Sequence, residues 1–321
     1  MNATLPPKRF VGRIAAVVVP LVLLVTIIAV LPGADGSTGI EEIEKMVEAA
    51  GPLKGPVTSD IVYRKRRFRN DLLLDIYHPT GSADVIGTGT AEPAFTASAP
   101  VVVIVHGGSW FHGDKSMVRI IDRFVNKMRD NGIAVVAINY TSGYLGGFRA
   151  PLRNVVVALT WIRDHGMEYG LDPRRLGLYG VSAGAHLSLM ATPAVMDEPG
   201  IDLRFVLEEY GPTDLVAMAG GDAFQHSRAF RWLPKKTLER YSPVRYVDSH
   251  WPPVLIFHGE EDEVVSIRQS ELLVSELERN GVSYQYHPIP GGNHGFFNLD
   301  QTEWRAMEDA SIAFMMPLLE R

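Results

Sequence analysis

The chain has 321 residues, 46% apolar and 21% charged, a balance that supports a large folded core and excludes a mainly disordered chain. A net charge of −6 leaves no broad basic face to neutralise phosphates and argues against a nucleic-acid partner. Cysteine is absent, which excludes disulfides, thiol nucleophiles and cysteine-bound zinc and says nothing about the redox compartment.

Residues 1–13 form a basic tail carrying Lys8, Arg9 and Arg13, followed by an uncharged apolar run of nineteen residues, Ile14–Pro32. That run approaches the ~20 residues of a bilayer span. The positive flank is expected to stay cytoplasmic and to leave the rest of the chain outside. An uncleaved membrane anchor is the expectation. A cleaved signal peptide, releasing a secreted protein, is the alternative, although its apolar region is usually shorter and Leu31-Pro32-Gly33-Ala34 is a poor cleavage site. Residues 33–57 read as a linker followed by an amphipathic helix, with a capping box at Thr38–Glu41 and apolar residues Ile40, Ile43, Met46, Val47 and Ala50 at helical spacing. The catalytic domain is expected over residues 58–321.

Within that domain, Ile61–Arg66 and Leu72–His78 read as strands around a turn. The basic run Arg64, Lys65, Arg66, Arg67 and Arg69 is expected on a solvated strand face. Gly81–Pro100, rich in Gly, Ala, Ser and Thr, reads as a long solvent loop. From Val101 onward, continuous apolar strands alternate with helices: strands Val101–Val105, Ala134–Asn139, Arg175–Val181, Phe205–Glu209, Val254–His258 and Tyr284–Ile289. The helices are expected over Met117–Asn131, Asn154–His165, from Ala183, over Ile267–Asn280 and over Glu303–Leu319. This alternation predicts an α/β fold with a mostly parallel central sheet and helices on both faces. Chemistry in such a sheet belongs beyond the carboxyl ends of the strands.

Gly180-Val181-Ser182-Ala183-Gly184 stands where a strand meets a helix. A serine in such a tight turn is exposed above the sheet, and the flanking glycines remove side chains that would collide with neighbouring elements. Ser182 is therefore the candidate nucleophile. His106-Gly107-Gly108-Ser109-Trp110 follows the first buried strand. Its glycines let main-chain N–H groups approach a developing oxyanion, so Gly107, Gly108 and Ala183 are the candidate donors. His106 reads as a structural ring holding the loop. Trp110 and Phe111 are candidate substrate-cleft residues, with packing under the loop as the equal alternative. The general base is sought on a loop after the last strand, where His294 lies among glycines; His226, His250 and His287 are rivals, the last two better explained by packing. Among the four carboxylates of Glu260–Glu263, Asp262 is chosen to orient it, with Glu261 and Glu263 expected in solvent.

Taken together, the stretches 106–110, Gly113-Asp114-Lys115-Ser116, 180–184, 258–262 and Gly292-Asn293-His294-Gly295 resemble the α/β-hydrolase carboxylesterases. The similarity is greatest to the hormone-sensitive-lipase-like esterases and the bifunctional deacetylase/feruloyl esterase-like enzymes. Leu74-Asp75-Ile76-Tyr77 and Ser242-Pro243-Val244 favour the second group, as does Ser109, where the first group usually carries a third glycine. The resemblance covers about residue 58 to the end. It implies an α/β-hydrolase fold, a Ser182–Asp262–His294 triad in the chain order of that fold, oxyanion donors at Gly107, Gly108 and Ala183, and hydrolysis of short-chain or acetyl esters. No metal or organic cofactor is expected, because the sequence has no His-Glu-x-x-His or Asp-rich calcium motif and the triad needs neither. The expected partner is a small-molecule or lipid-like ester, with the membrane reached through the N-terminal anchor. An amidase or peptidase of the same fold, and a non-catalytic binding protein, are the competing readings. The oligomeric state is not legible. Residues 216–240 are a candidate lid.

Overall fold

The computed structural model describes residues 55–81, 98–141, 147–220 and 233–320. The expected anchor at 14–32, the amphipathic helix at 40–50 and His226 lie outside the described residues. Among the described residues no helix is long and apolar enough to cross a membrane.

An eight-stranded sheet organises this region, with β1 Val57–Arg64, β2 Leu72–Tyr77, β3 Ala99–Val105, β4 Ala134–Ile138, β5 Leu171–Val181, β6 Leu203–Glu209, β7 Val254–Gly259 and β8 Tyr284–Ile289. The spatial order is β1-β2-β4-β3-β5-β6-β7-β8. β3 through β8 are parallel, while β1 pairs antiparallel with β2 and β2 antiparallel with β4. The helices are α1 Asp122–Asp130, α2 Arg149–His165, α3 Ala183–Val195, α4 Leu215–Gly220, α5 Lys235–Arg240, α6 Arg268–Arg279 and α7 Gln301–Leu319.

Strand alternation divides the core into two layers. Val101, Val103 and Val105 of β3 point into one layer with Val155, Leu159 and Ile162 of α2 and Leu187 of α3. Val102 and Ile104 point into the other, against Phe124, Val125 and Met128 of α1 and Phe314 and Met315 of α7. Because both faces are covered, the central strands carry apolar residues at every position, which is why they read as unbroken runs. Each such side chain contributes about 1.5–3 kcal/mol on burial.

Several boundaries differ from the sequence reading. The helix expected over Met117–Asn131 is a 3-10 segment, Lys115–Ile121, followed by α1. The β-branched Val118, Ile120 and Ile121 are poor helix formers, and Asp114 caps the tighter turn by accepting from Ser116 N–H at 2.7 Å. α2 starts five residues earlier than expected, with Pro151 in its first turn, where proline is tolerated. α7 starts at Gln301, with Asp300 and Glu303 forming a capping box. The basic run is not a strand face. β1 ends at Arg64, and Lys65 to Arg69 form an irregular turn into β2. Of the solvent loop expected over Gly81–Pro100, residues 82–97 lie outside the described residues, and Ala99 and Pro100 belong to β3.

The excursion between β6 and β7, described at residues 211–220 and 233–253, is pinned to the body at several points. Gln269 of α6 accepts from Thr213 N–H and Asp214 N–H at 2.8 and 2.7 Å, and Ser242 Oγ accepts from Leu215 N–H at 2.9 Å. Of the candidate lid, α4 and α5 are described; residues 221–232 are not.

The junction of β5 and α3 is the tightest place in the fold. A Cβ on Gly184 would lie 2.0 Å from Val105 O and 2.5 Å from His106 O, and one on Gly180 would lie 2.4 Å from Gly184 O. Gly184→Ala is therefore expected to destabilise the fold by about 3 kcal/mol or more, read as a lowered urea midpoint. An unchanged midpoint would show that α3 tolerates displacement from β3.

Candidate active site

Ser182 sits between β5 and α3 with φ 53° and ψ −121°, a left-handed conformation costly for a residue with a Cβ. Its N–H donates to Glu209 O at 2.8 Å, so the strained turn is tied to the end of the adjacent strand β6. The side chain is half-buried. His294 Nε2 lies 3.0 Å from Ser182 Oγ, and His294 Nδ1 lies 2.7 Å from Asp262 Oδ2. The three residues named from sequence thus form one hydrogen-bonded chain, delivered by loops after β5, β7 and β8.

Asp262 is held from two sides. Its Oδ1 accepts from Val264 N–H and Val265 N–H, both at 2.8 Å, while Oδ2 faces His294 and, at 3.4 Å, His258 Nε2. Burial pushes the carboxyl pKa up, but the charge of His294 and the histidine hydrogen bonds outweigh it and hold the group well below the usual carboxylate range. Asp262 is therefore ionised beside His294 Nδ1, and the carboxylate requires a proton on that nitrogen, leaving Nε2 free to accept from Ser182. Glu260, Glu261 and Glu263 are exposed, as expected.

The glycine loop after β3 is fixed from below. Tyr140 Oη donates to His106 O at 3.0 Å and Gly107 O at 3.2 Å. His106 stacks on Tyr140 with ring centroids 4.0 Å apart and donates from Nδ1 to Gly107 O at 2.7 Å. Burial lowers its pKa to about 4, so the ring stays neutral and structural. In a planar trans peptide the C=O and N–H point in opposite directions. Holding the His106 and Gly107 carbonyls in place therefore fixes the Gly107 and Gly108 N–H groups. Gly108 has φ +109°, and a Cβ there would lie 2.3 Å from His112 O. Ala183 is the first residue of α3, where N–H groups lack helical acceptors.

Trp110 is a correction. It is 4% exposed, and its Nε1–H donates to His186 Nδ1 at 3.0 Å, with Phe148 against its ring at 5.3 Å. Its indole N–H has a buried partner, so it packs under the loop and does not line an open cleft. His186 Nε2 in turn donates to Tyr241 O at 2.7 Å, which ties α3 to the excursion. Phe111 is half-buried beside it. Of the rival histidines, His250 is exposed and not packed, whereas His287 stacks on Phe257 at 5.0 Å.

Sequence reasoning missed two groups. Tyr210, at the end of β6, has φ 44° and sets its ring edge-on to His294 at 4.7 Å. A second, fully buried chain runs behind Asp262. His258 Nε2 lies 2.7 Å from Val265 O, and its Nδ1 lies 2.7 Å from Ser270 Oγ. Ser270 Oγ lies 3.2 Å from Glu208 Oε1, and Glu208 Oε2 accepts from Gly211 N–H at 2.9 Å. Since Val265 O only accepts, His258 Nε2 carries a hydrogen. The single Ser270 hydrogen cannot satisfy both His258 Nδ1 and Glu208, so one of those neighbours holds an extra proton. Burial raises Glu208 to about 7 and makes it the natural holder below neutrality. Among the described residues no group of three or more His, Asp or Glu is placed to hold a metal.

Glu208 also sets a pH dependence. Its folded-state pKa of about 7 exceeds the ordinary 4.5, so the folded protein binds more protons between those values and loses stability as pH rises through that window. Glu208→Gln keeps the acceptor for Gly211 and removes the titration. The stability of the variant relative to wild type should grow by roughly 3 kcal/mol across the window, measured by urea unfolding at a series of pH values. A constant difference would place the proton elsewhere.

The comparisons with known proteins follow this geometry. The BD-FAE family model matches residues 90–277, a segment that contains Gly107, Ser182 and Asp262 and ends before His294. Esterase LipQ of Mycobacterium tuberculosis is 28% identical over 219 residues, covering 62% of this chain and 50% of its own. The probable carboxylic ester hydrolase LipM of the same organism is 26% identical over 288 residues, covering 82% and 65%. The chain thus spans between half and two thirds of the length of these relatives. A truncated carbohydrate esterase from gut microbiota superposes with a TM-score of 0.66 at 22% identity, over 84% of this chain and 98% of that one. The eight-stranded α/β sheet, the elbow serine and the family match together place this chain in the BD-FAE family, within the α/β-hydrolase carboxylesterases.

Proposed function

We propose that this protein is a serine carboxylic-ester hydrolase working through an acyl-enzyme on Ser182. The observation that carries the reading is the chain Ser182 Oγ–His294 Nε2–Asp262 at 3.0 and 2.7 Å. As Ser182 Oγ attacks the ester carbonyl, its proton passes to His294 Nε2. Asp262 stabilises the imidazolium that forms and keeps its orientation. The oxyanion is met by N–H groups of Gly107 or Gly108 together with Ala183; one such donor contributes about 3–4 kcal/mol. Collapse of the intermediate breaks the C–O bond, and His294 returns its proton to the departing alcohol. Water, deprotonated by His294, then attacks the acyl-serine and regenerates Ser182.

The relatives named esterase and carboxylic ester hydrolase support an ester substrate, and the resemblance set out from the sequence supports a short acyl or acetyl group. An amide demands more of the same groups, because the poorer leaving group must be fully protonated by His294. The run Ile14–Pro32, with Lys8, Arg9 and Arg13 before it, supports a membrane-anchored enzyme whose catalytic domain lies outside the cytoplasm.

Ser182→Ala and His294→Ala are each expected to lower turnover of a chromogenic acetyl ester by at least about 10⁴-fold with the fold intact, because the two act as one unit. Asp262→Asn should lose a comparable or smaller factor. Wild-type rates in folded Ser182→Ala, or faster hydrolysis of the matching anilide than of the ester, would sink this reading. The anchor is tested by fractionation: the full chain should resist high salt and alkaline wash and leave membranes only with detergent. A soluble product starting near Asp35 would show cleavage instead.

A further inference from the structure

The turn joining β1 to β2 is the densest run of cations among the described residues of this acidic chain. Arg64, Lys65, Arg66, Arg67 and Arg69 stand against the single acid Asp71, in a protein of net charge −6. At its tip Phe68 is 87% exposed, the most exposed large apolar side chain among the described residues, and Val62 of the same hairpin is 38% exposed. The Arg67 guanidinium lies over the Phe68 ring, 5.2 Å from its centroid. Lys65, Arg67 and Arg69 are exposed with it.

The turn is also built and placed. Asp71 accepts from Arg66 N–H at 2.7 Å, Asn70 O accepts from Arg66 Nε at 2.5 Å, and Arg66 Nη1 donates to Thr141 Oγ1 at 2.8 Å. One arginine thus closes the loop and fastens it beyond the end of β4, leaving the other cations outward. The antiparallel register of β2 on β4, with Leu74 opposite Ile138 and Tyr77 opposite Val135, sets the turn at the carboxyl end of the parallel strands. That is the end from which Ser182 and His294 project. β2 lies three places from β5 in the sheet, about 14 Å at the usual strand spacing. The exposed Glu260, Glu261 and Glu263 lie at the same end but beyond β7, so the mouth is basic at one edge and acidic at the other.

We infer that this turn is a docking element for an anionic lipid surface, with Phe68 entering the interface and Lys65, Arg67 and Arg69 facing the headgroups. A lone exposed aromatic ring ringed by cations matches the chemistry of that interface, where aromatic rings sit at headgroup level and each basic residue is attracted to anionic lipid. The acidic edge beyond β7 is repelled, so the molecule tilts with its basic edge down and its mouth facing the lipid. The placement of Ser182 in that mouth rests on the ester-hydrolase reading; the docking itself does not.

The test uses the full chain carrying Phe68→Trp, added to vesicles of phosphatidylcholine alone or mixed with phosphatidylglycerol, each containing brominated lipid. Wild type, with its native tryptophans, supplies the baseline. The expected result is quenching above baseline only with phosphatidylglycerol, lost in high salt and lost on adding Lys65→Glu, Arg67→Glu and Arg69→Glu. Equal signals in both vesicle types, or quenching that survives charge reversal, would overturn the proposal even if the N-terminal run inserts. Relief of the quench by soluble dextran sulfate at a charge equivalent to the lipid would also overturn it, because the turn would then be a polyanion site. Hydrolysis of a water-soluble ester is measured on the same variants. It should be unchanged by the turn substitutions, and its absence in wild type would sink the ester reading while leaving the vesicle result standing.

Discussion

The structure depends on one close approach, the seating of α3 against β3. Gly184 lies where its missing side chain would occupy the carbonyls of Val105 and His106. That contact brings the start of α3 beside the glycine loop, where a Cβ on Gly107 would lie 3.4 Å from Ser182 Cβ. It also forces the turn before it to be sharp, and Ser182 absorbs the cost as a positive φ. The donation from Ser182 N–H to Glu209 O holds the turn in that shape. The sharp turn at Ser182 and the approach of the glycine loop to α3 are thus two results of a single packing constraint.

The parts of this arrangement that were legible from sequence are those that leave a composition signature. Glycines flanking Ser182 and following His106 mark close backbone approach, and a histidine among glycines after the last strand marks a functional loop. Strands buried on both faces announce themselves as unbroken β-branched runs. The fold class and the three residues that meet in space could be read because each sits at the end of such a run. Boundaries failed where local chemistry outweighs periodicity: Asp114 and Asp300 as caps, Pro151 inside a first turn, and the crowded β-branched residues before α1.

What sequence could not give is what depends on packing between elements far apart in the chain. From sequence Trp110 read equally well as a cleft residue or as packing under the loop, and His186, seventy-six positions away, decides it by providing a buried acceptor for the indole. Tyr210 carries no motif, and its importance lies in a ring edge set against His294. Glu208 reads as one more strand residue until β6, β7 and α6 are assembled and it becomes the end of a buried hydrogen-bonded chain reaching Asp262. The basic run shows the opposite error: its charges were read from the sequence, but only strand register reveals which end of the sheet they face.

The excursion between β6 and β7 has a consequence for how this scaffold can diversify. Its pins are hydrogen bonds between side chains and main chain: Gln269 Oε1 and Ser242 Oγ accept from Thr213 and Leu215 N–H, and His186 Nε2 donates to Tyr241 O, so three side chains fasten its described ends. The triad residues lie outside it, on loops after β5, β7 and β8. Substitutions at described positions of the excursion other than Thr213, Ser242 and their neighbours in contact leave these three bonds in place. The exception is Tyr241, whose carbonyl reaches the glycine loop through His186 and Trp110, so a change of backbone there would be felt at the site.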